Sequence, residues 1–311
     1  MALIPTASLQ SLIANARTNP PEPLIDGLLR AGSVLLLHGV EESFKSVFMT
    51  QLGEALATGT PFLGQWPAPV ARRVGLVATE LDPIAFGERL SLMFPVAPPP
   101  DTFVVFNALK LFRAYATTAS RTRFIGEWAL EQALDVLLID VANDLVRGKA
   151  GNPNDEVQVA EMFEQLRSLE LPLIGLVRHD RKQNPQGLIL HSNEQIRGSG
   201  EWKEDPEVIL ALSRPDKRTH EVTLSVGKMR YGTKPDNLAL WFDAGTCRLT
   251  ARPPILAVLE AGPLSRSDLL TQCHQRFSLG QRRADELIKG LLPALIVTQS
   301  GHQKQYALRA P

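Results

Sequence analysis

Val34-Leu-Leu-Leu-His38-Gly39-Val-Glu-Glu-Ser-Phe44-Lys45-Ser46 is the stretch from which the rest of the chain can be organised. An apolar run, Val34–His38, ends in a turn, and a segment of helical period begins at Lys45. A strand that passes through a loop into a helix is a ready anion site. The N–H groups of the loop and of the first helical turn lack intrahelical partners and face one point. Gly39 to Ser46 fits the pattern G-x-x-x-x-G-K-[ST], with Phe44 in the place of the second glycine. Phosphate-loop chemistry assigns Lys45 to the β- and γ-phosphates of ATP and Ser46 to Mg²⁺, with Gly39, Val40, Glu41, Glu42, Ser43, Phe44 and Val47 forming the cradle. Phe44 puts a side chain where the backbone normally curls closely around phosphate.

Working outward, short apolar runs alternate with segments of helical period from Leu24 to about Asp243, which predicts an α/β fold with a sheet flanked by helices. The runs are Val34–His38, Val74–Thr79, Phe103–Phe106, Val136–Asp140, Leu171–Val177, Val208–Leu212, Val222–Val226 and Leu238–Phe242. Helices are expected over Lys45–Thr58, Ile84–Met93, Thr122–Ala133 and Glu156–Ser168. The last three runs follow one another with only turns between, so the sheet should begin parallel and end antiparallel. Ligands of such sheets bind at the C-terminal ends of the strands. Three polar residues stand there besides the loop: Glu80, Asp140 and His179. Asp140 is a candidate to hold Mg²⁺, Glu80 to orient or deprotonate an attacking water, and His179 to sense the γ-phosphate.

The 311 residues carry 33 Lys+Arg and 33 Asp+Glu, so any contact with a polyanion must be local. No apolar stretch approaches the roughly 20 residues that cross a bilayer, and the first 20 residues lack a basic start followed by an apolar core, so a cytoplasmic protein without membrane contact is expected. Cys247 and Cys273 lie near no His/Cys cluster and read as buried thiols. Residues 1–23 are proline-bearing and read as an arm with a short helix over Ser8–Arg17. After Arg252, Pro253 and Pro254 break the pattern. Helices Ile255–Glu260, Ser265–Arg276 and Gly280–Leu291 precede two strands, Leu295–Gln299 and Gln305–Leu308. Three helices and a hairpin describe a small winged helix-turn-helix domain over 253–311, leaving 24–252 as the main domain.

The motif order resembles the RecA-like motor ATPases, and more narrowly the RepA-like branch found in plasmid and phage replicative helicases. The resemblance rests on GVEESFKS, GTPFLG at Gly59–Gly64, VATELDPIAFGERL with Glu80 and Arg89, and LLIDVANDL at Leu137–Leu145. It continues through LVRHDRK at Leu176–Lys182, RGSGEWKEDPEVILAL at Arg197–Leu212 and KMRYG at Lys228–Gly232. It implies a RecA-like P-loop core that hydrolyses ATP with Mg²⁺ and assembles as a homo-oligomer, a hexameric ring. It also implies that some relatives carry an aromatic before Lys-Ser, as Phe44 does here.

In such rings the nucleotide lies between subunits, and a Lys-x-Arg pair of one subunit reaches the γ-phosphate held by the next. Lys228 and Arg230 match that pair, and their spacing of two lets both project to one side. Basic loops after Asp140 and His179, with Arg147, Lys149, Arg181 and Lys182, stand where ring-forming relatives hold single-stranded DNA. The C-terminal segment 251–311 is net basic, and a third helix capped by Ser278 should present Arg282, Arg283 and Lys289 to duplex DNA, with His302 and Lys304 on the wing. The expected function is that of a DNA-acting ATPase, a replicative helicase of a mobile element. The alternatives are an ATP-gated DNA-binding regulator and a pseudo-ATPase adaptor.

Overall fold

The computed structural model describes residues 8–80, 82–96, 101–109, 115, 117–146, 155–180, 196, 200–214, 216–277, 279–300 and 303–308. In chain order the elements are α1 (Leu9–Thr18), β1 (Pro23–Ile25), β2 (Leu29–Arg30), β3 (Ser33–Gly39), α2 (Lys45–Thr58), β4 (Val74–Ala78), α3 (Pro83–Met93), β5 (Phe103–Asn107), α4 (Thr118–Glu131) and β6 (Val136–Asp140). They continue with α5 (Asn143–Val146), α6 (Glu156–Arg167), β7 (Leu173–His179), α7 (Glu201–Glu204), β8 (Val208–Ser213), β9 (Glu221–Met229), β10 (Leu238–Asp243) and β11 (Arg248–Arg252). The last are α8 (Pro254–Leu259), β12 (Leu264–Ser265), α9 (Arg266–Phe277), α10 (Gln281–Leu291), β13 (Leu295–Ser300) and β14 (Gln303–Leu308).

Among the described residues nine strands form one sheet in the order β11-β10-β9-β8-β3-β7-β6-β4-β5. The six from β8 to β5 in that order are mutually parallel, and β9, β10 and β11 extend it antiparallel. The predicted switch from parallel to antiparallel is therefore present. All seven residues of β3 are buried, as expected of a central strand covered on both faces. On one face, Leu35 and Leu37 pack with α2, α3 and the β1–β2 hairpin. On the other, Val34 and Leu36 pack with α4, α5 and α6.

Local chemistry sets the helix ends. Asp82 caps α3 ahead of Pro83 at its first position. Gly59 ends α2 in the left-handed region, at φ 69°. Helix α4 starts at Thr118 rather than Thr122, because Thr117 and Ser120 form a capping box that adds a turn before the apolar period begins.

After Arg252 the three expected helices and the β13–β14 hairpin are present, and β12 adds a third strand against β14. They share a separate cluster built from Ile255, Val258, Leu269, Cys273, Phe277 and Ile288, with Ala239 of β10 joining it. Gly280, not Ser278, occupies the N-cap of α10; Ser278 lies outside the described residues. This segment is fastened to the main sheet. Arg276 pairs with Glu221, Arg283 with Asp236 at 2.6 Å, and Asn237 donates to the Phe277 carbonyl at 3.0 Å. Among the described residues no helix is long and apolar enough to cross a membrane. Both cysteines are free and buried.

Candidate nucleotide site

Strand register brings the candidate residues to one edge. Gly39 stands opposite His179, and Ala78 opposite Asp140, with Glu80 two residues past Ala78. Position 39 admits no side chain, since a Cβ there would lie 2.4 Å from the Leu212 carbonyl oxygen and 2.7 Å from Ser43 Oγ. Glu42 and Phe44 both take positive φ, 66° and 63°. Left-handed residues interleaved in a loop wind it into the concavity in which successive amides bind anions. Arg214 holds the loop from outside by donating to the Glu42 carbonyl at 3.0 Å, and Lys217 pairs with the Glu42 carboxylate at 2.7 Å.

The Phe44 ring does not enter this concavity. It lies flat on Phe242 of β10, with centroids 4.0 Å apart and planes 15° apart, and the Arg214 guanidinium lies 4.6 Å from its centroid. The left-handed backbone that glycine would supply is retained, and the side chain is directed to the antiparallel edge of the sheet.

Lys45, at the start of α2, is 4% exposed. Its ammonium donates to the carbonyls of Gly39 at 2.9 Å and Val40 at 2.6 Å. Burial pushes it down to about 8, while Asp140, Asp180, Glu80 and Glu41 oppose the shift. Ser46 donates a hydrogen bond to Asp140, whose carboxyl is pushed up chiefly by burial, with Glu80 adding repulsion. A carboxylate penalised by burial is one that a cation stabilises, and hydroxyl plus carboxylate is an oxygen set that Mg²⁺ takes, so these residues fit the ion. Val47 is buried beneath the loop, while Glu41 faces solvent.

Glu80 and His179 meet, with Oε1 and Nε2 3.0 Å apart. Thr79 braces this edge: its N–H donates to the Asp140 carbonyl at 2.8 Å, and its hydroxyl accepts from the Val141 N–H at 2.9 Å. Sequence reasoning missed a second pair below the loop. His38 Nδ1 lies 2.9 Å from Asp180 Oδ1, both residues are buried, and the Asp180 N–H donates to the Gly39 carbonyl at 3.1 Å. Adjacency to His179 was the only signal for Asp180; Arg214, Phe242 and His38 left none.

Lys228 and Arg230 are brought together, since both donate to the Glu204 carbonyl. They do not join the cluster at the loop. Lys228 stands opposite Ile209, which aligns with Leu36 in the middle of β3, and the Arg230 N–H donates to the carbonyl of Glu207, whose own N–H donates to the Val34 carbonyl near the start of β3. The pair thus stands back from the loop edge of its own sheet. Arg282 is exposed and close to Glu286, whereas Arg283 is paired with both Asp236 and Glu286. Lys289 and Lys304 are exposed. Arg147, Lys149, Arg181, Lys182 and His302 lie outside the described residues.

Comparison with known proteins bears on the family and the fold. A "Probable plasmid replicative DNA helicase" of Chlamydia psittaci is 32% identical over 111 residues, which cover 33% of this chain and 24% of that protein. A solved ATPase domain superposes with a TM-score of 0.56 at 11% identity, covering 80% of this chain and 100% of the domain. A KaiC-like protein from the archaeon Pyrococcus horikoshii OT3 superposes with a TM-score of 0.55 at 12% identity, covering 74% of this chain and 94% of its own. Residues 5–184, which contain the loop, Glu80, Asp140 and His179, match the AAA domain family. The chain belongs to that family and builds it on a RecA-like α/β core.

Proposed function

We propose that the chain is a Mg²⁺-dependent ATPase that works on DNA as a ring of identical subunits, in the manner of a plasmid or phage replicative helicase, with residues 253–311 as a winged helix. The observation that carries this is the partition of the site. Lys45, Ser46, Asp140, Glu80 and His179 gather at the loop edge, while Lys228 and Arg230 stand apart from it on the carbonyls of Lys203 and Glu204. Bound Mg²⁺ would be held by Ser46 and Asp140 and would neutralise phosphate charge. Lys45 exchanges its two carbonyls for phosphate oxygens. Glu80, held by His179, takes the proton of the attacking water. Lys228 and Arg230 of a neighbouring copy supply the cations that the transferred phosphoryl group requires, an effect of about 10³–10⁵-fold where an arginine is delivered in trans. The helicase named in Chlamydia psittaci supports the assignment to replication.

Mixing inactive Lys45→Ala and Arg230→Ala proteins tests the shared site. Recovered hydrolysis is expected, and none despite mixed assembly would refute sharing. Strand displacement on forked DNA tests the helicase assignment; binding without ATP-dependent displacement would refute it.

A further inference from the structure

Two long cationic side chains can serve a neighbour's nucleotide only where their own chain holds them in place. Lys228 donates to the carbonyls of Lys203 at 2.8 Å and Glu204 at 2.6 Å, and Arg230 donates to the same Glu204 carbonyl. Both carbonyls lie at the end of α7, where a helix has no N–H of its own to offer them. Burial and the adjacent Arg230 both push the Lys228 ammonium down, so the two like charges depend on the oxygens that face them. Among the described residues the other acceptor of the Arg230 guanidinium is the Glu207 carboxylate, 3.5 Å away. An ammonium has three donors and a guanidinium five, so each keeps donors for phosphate while it is seated.

A turn of four residues does not hold itself, because closing one turn fixes more backbone freedom than its hydrogen bonds return. The hold on α7 comes from its neighbours. Trp202 within it is wholly buried and stands edge-on to Phe163 of α6, with ring centroids 5.5 Å apart and planes at 70°. The guanidinium of Arg178, a buried residue of β7, lies 4.1 Å from the centroid of the Trp202 ring. Edge-to-face rings and a cation over a desolvated ring are directional contacts, so they set where α7 sits. Arg167, at the end of α6, donates to the Asp205 carbonyl just past α7 at 2.6 Å and to the Glu207 carboxylate at 3.0 Å.

We propose that Trp202 and Arg167 are positioning residues for Lys228 and Arg230. They seat α7, and the carbonyls of α7 aim the two cations at the nucleotide of the next subunit. This rests on the reading of the site as shared between subunits.

Full-length Trp202→Leu and Arg167→Met proteins test it. Each should bind Mg²⁺-ATP within about twofold of wild type and lose hydrolysis by about 10–100-fold, part of the about 10³–10⁵-fold that an arginine delivered in trans supplies. Trp202→Phe, which keeps a ring for Phe163 and Arg178, should retain most of the hydrolysis. Mixtures give the readout that a general structural defect would not reproduce. A chain with an intact loop and misplaced cations should recover hydrolysis with Lys45→Ala, whose own Lys228 and Arg230 are undisturbed, and should fail to recover with Arg230→Ala. Recovery with Arg230→Ala, recovery with neither while Lys45→Ala and Arg230→Ala recover together, or unreduced hydrolysis in both variants would overturn the seat alone. No recovery between Lys45→Ala and Arg230→Ala despite mixed assembly would also remove the shared site on which the proposal rests. Arg167→Met alters a partly exposed side chain and leaves the Trp202 ring in place, so it decides the matter if Trp202→Leu does not fold.

Discussion

Phe44→Gly isolates the feature that most separates this loop from its pattern. The ring stacks on Phe242 at 4.0 Å, an arrangement worth about 0.5–1.5 kcal/mol beyond area burial. The Arg214 guanidinium over it adds about 0.5–1 kcal/mol. Removing a half-buried benzyl group forfeits about 1–1.5 kcal/mol of apolar contact. Glycine returns part of this, since a left-handed residue with a Cβ costs about 1–2 kcal/mol. The expected net effect is a loss of about 1.5 kcal/mol in urea unfolding, with Mg²⁺-ATP affinity unchanged within a few-fold, because the ring lies outside the cradle. In a double-mutant cycle with Phe242→Ala the two substitutions should couple by about 1 kcal/mol. A Phe44→Gly protein that binds nucleotide tenfold more tightly would show that the ring obstructs the loop, and one no less stable than wild type would refute the worth assigned to the stacking.

Gln51→Ala should cost about 2–3 kcal/mol in the same unfolding assay, because the Gln51 amide both donates to the Leu249 carbonyl and accepts from its N–H, leaving two buried backbone groups unpaired when it is removed. Cys273 supplies a pH test. Burial pushes its thiol up to about 11, so the folded state holds a proton that the unfolded state releases nearer 9. Its contribution is complete below pH 9 and is lost as pH rises toward 11, a fall of about 2 kcal/mol. Cys273→Ala should flatten that part of the stability profile, and an unaltered slope would contradict the assignment.

Much of the core was legible because buried parallel strands are continuous apolar runs bounded by polar ends. The runs at Val34, Val74, Val136 and Val208 became β3, β4, β6 and β8, and their register carried Glu80, Asp140 and His179 to the loop. What escaped notice lacked such a signature. The three-residue β1 and two-residue β2 are too short to show a period, and β11 (Arg248–Arg252) is polar at alternate positions and follows a turn. Its place is set by Gln51 and by Arg248 pairing with Glu54, contacts nearly two hundred residues apart in sequence. The direction of the Phe44 ring was equally hidden. Its partner Phe242 reaches it only because β10 is the second antiparallel strand beyond β8. The capping box at Thr117 was readable but was outweighed by the apolar period that starts later in α4.

Binding of Mg²⁺-ATP to wild type and to Lys45→Ala, followed calorimetrically, tests the central claim most directly. Lys45 opens α2 and its ammonium reaches back across the loop to the Gly39 and Val40 carbonyls, so its removal should abolish hydrolysis and weaken binding at least tenfold, about 1.4 kcal/mol. Equal affinity and turnover in the two proteins would place the triphosphate elsewhere and contradict the account.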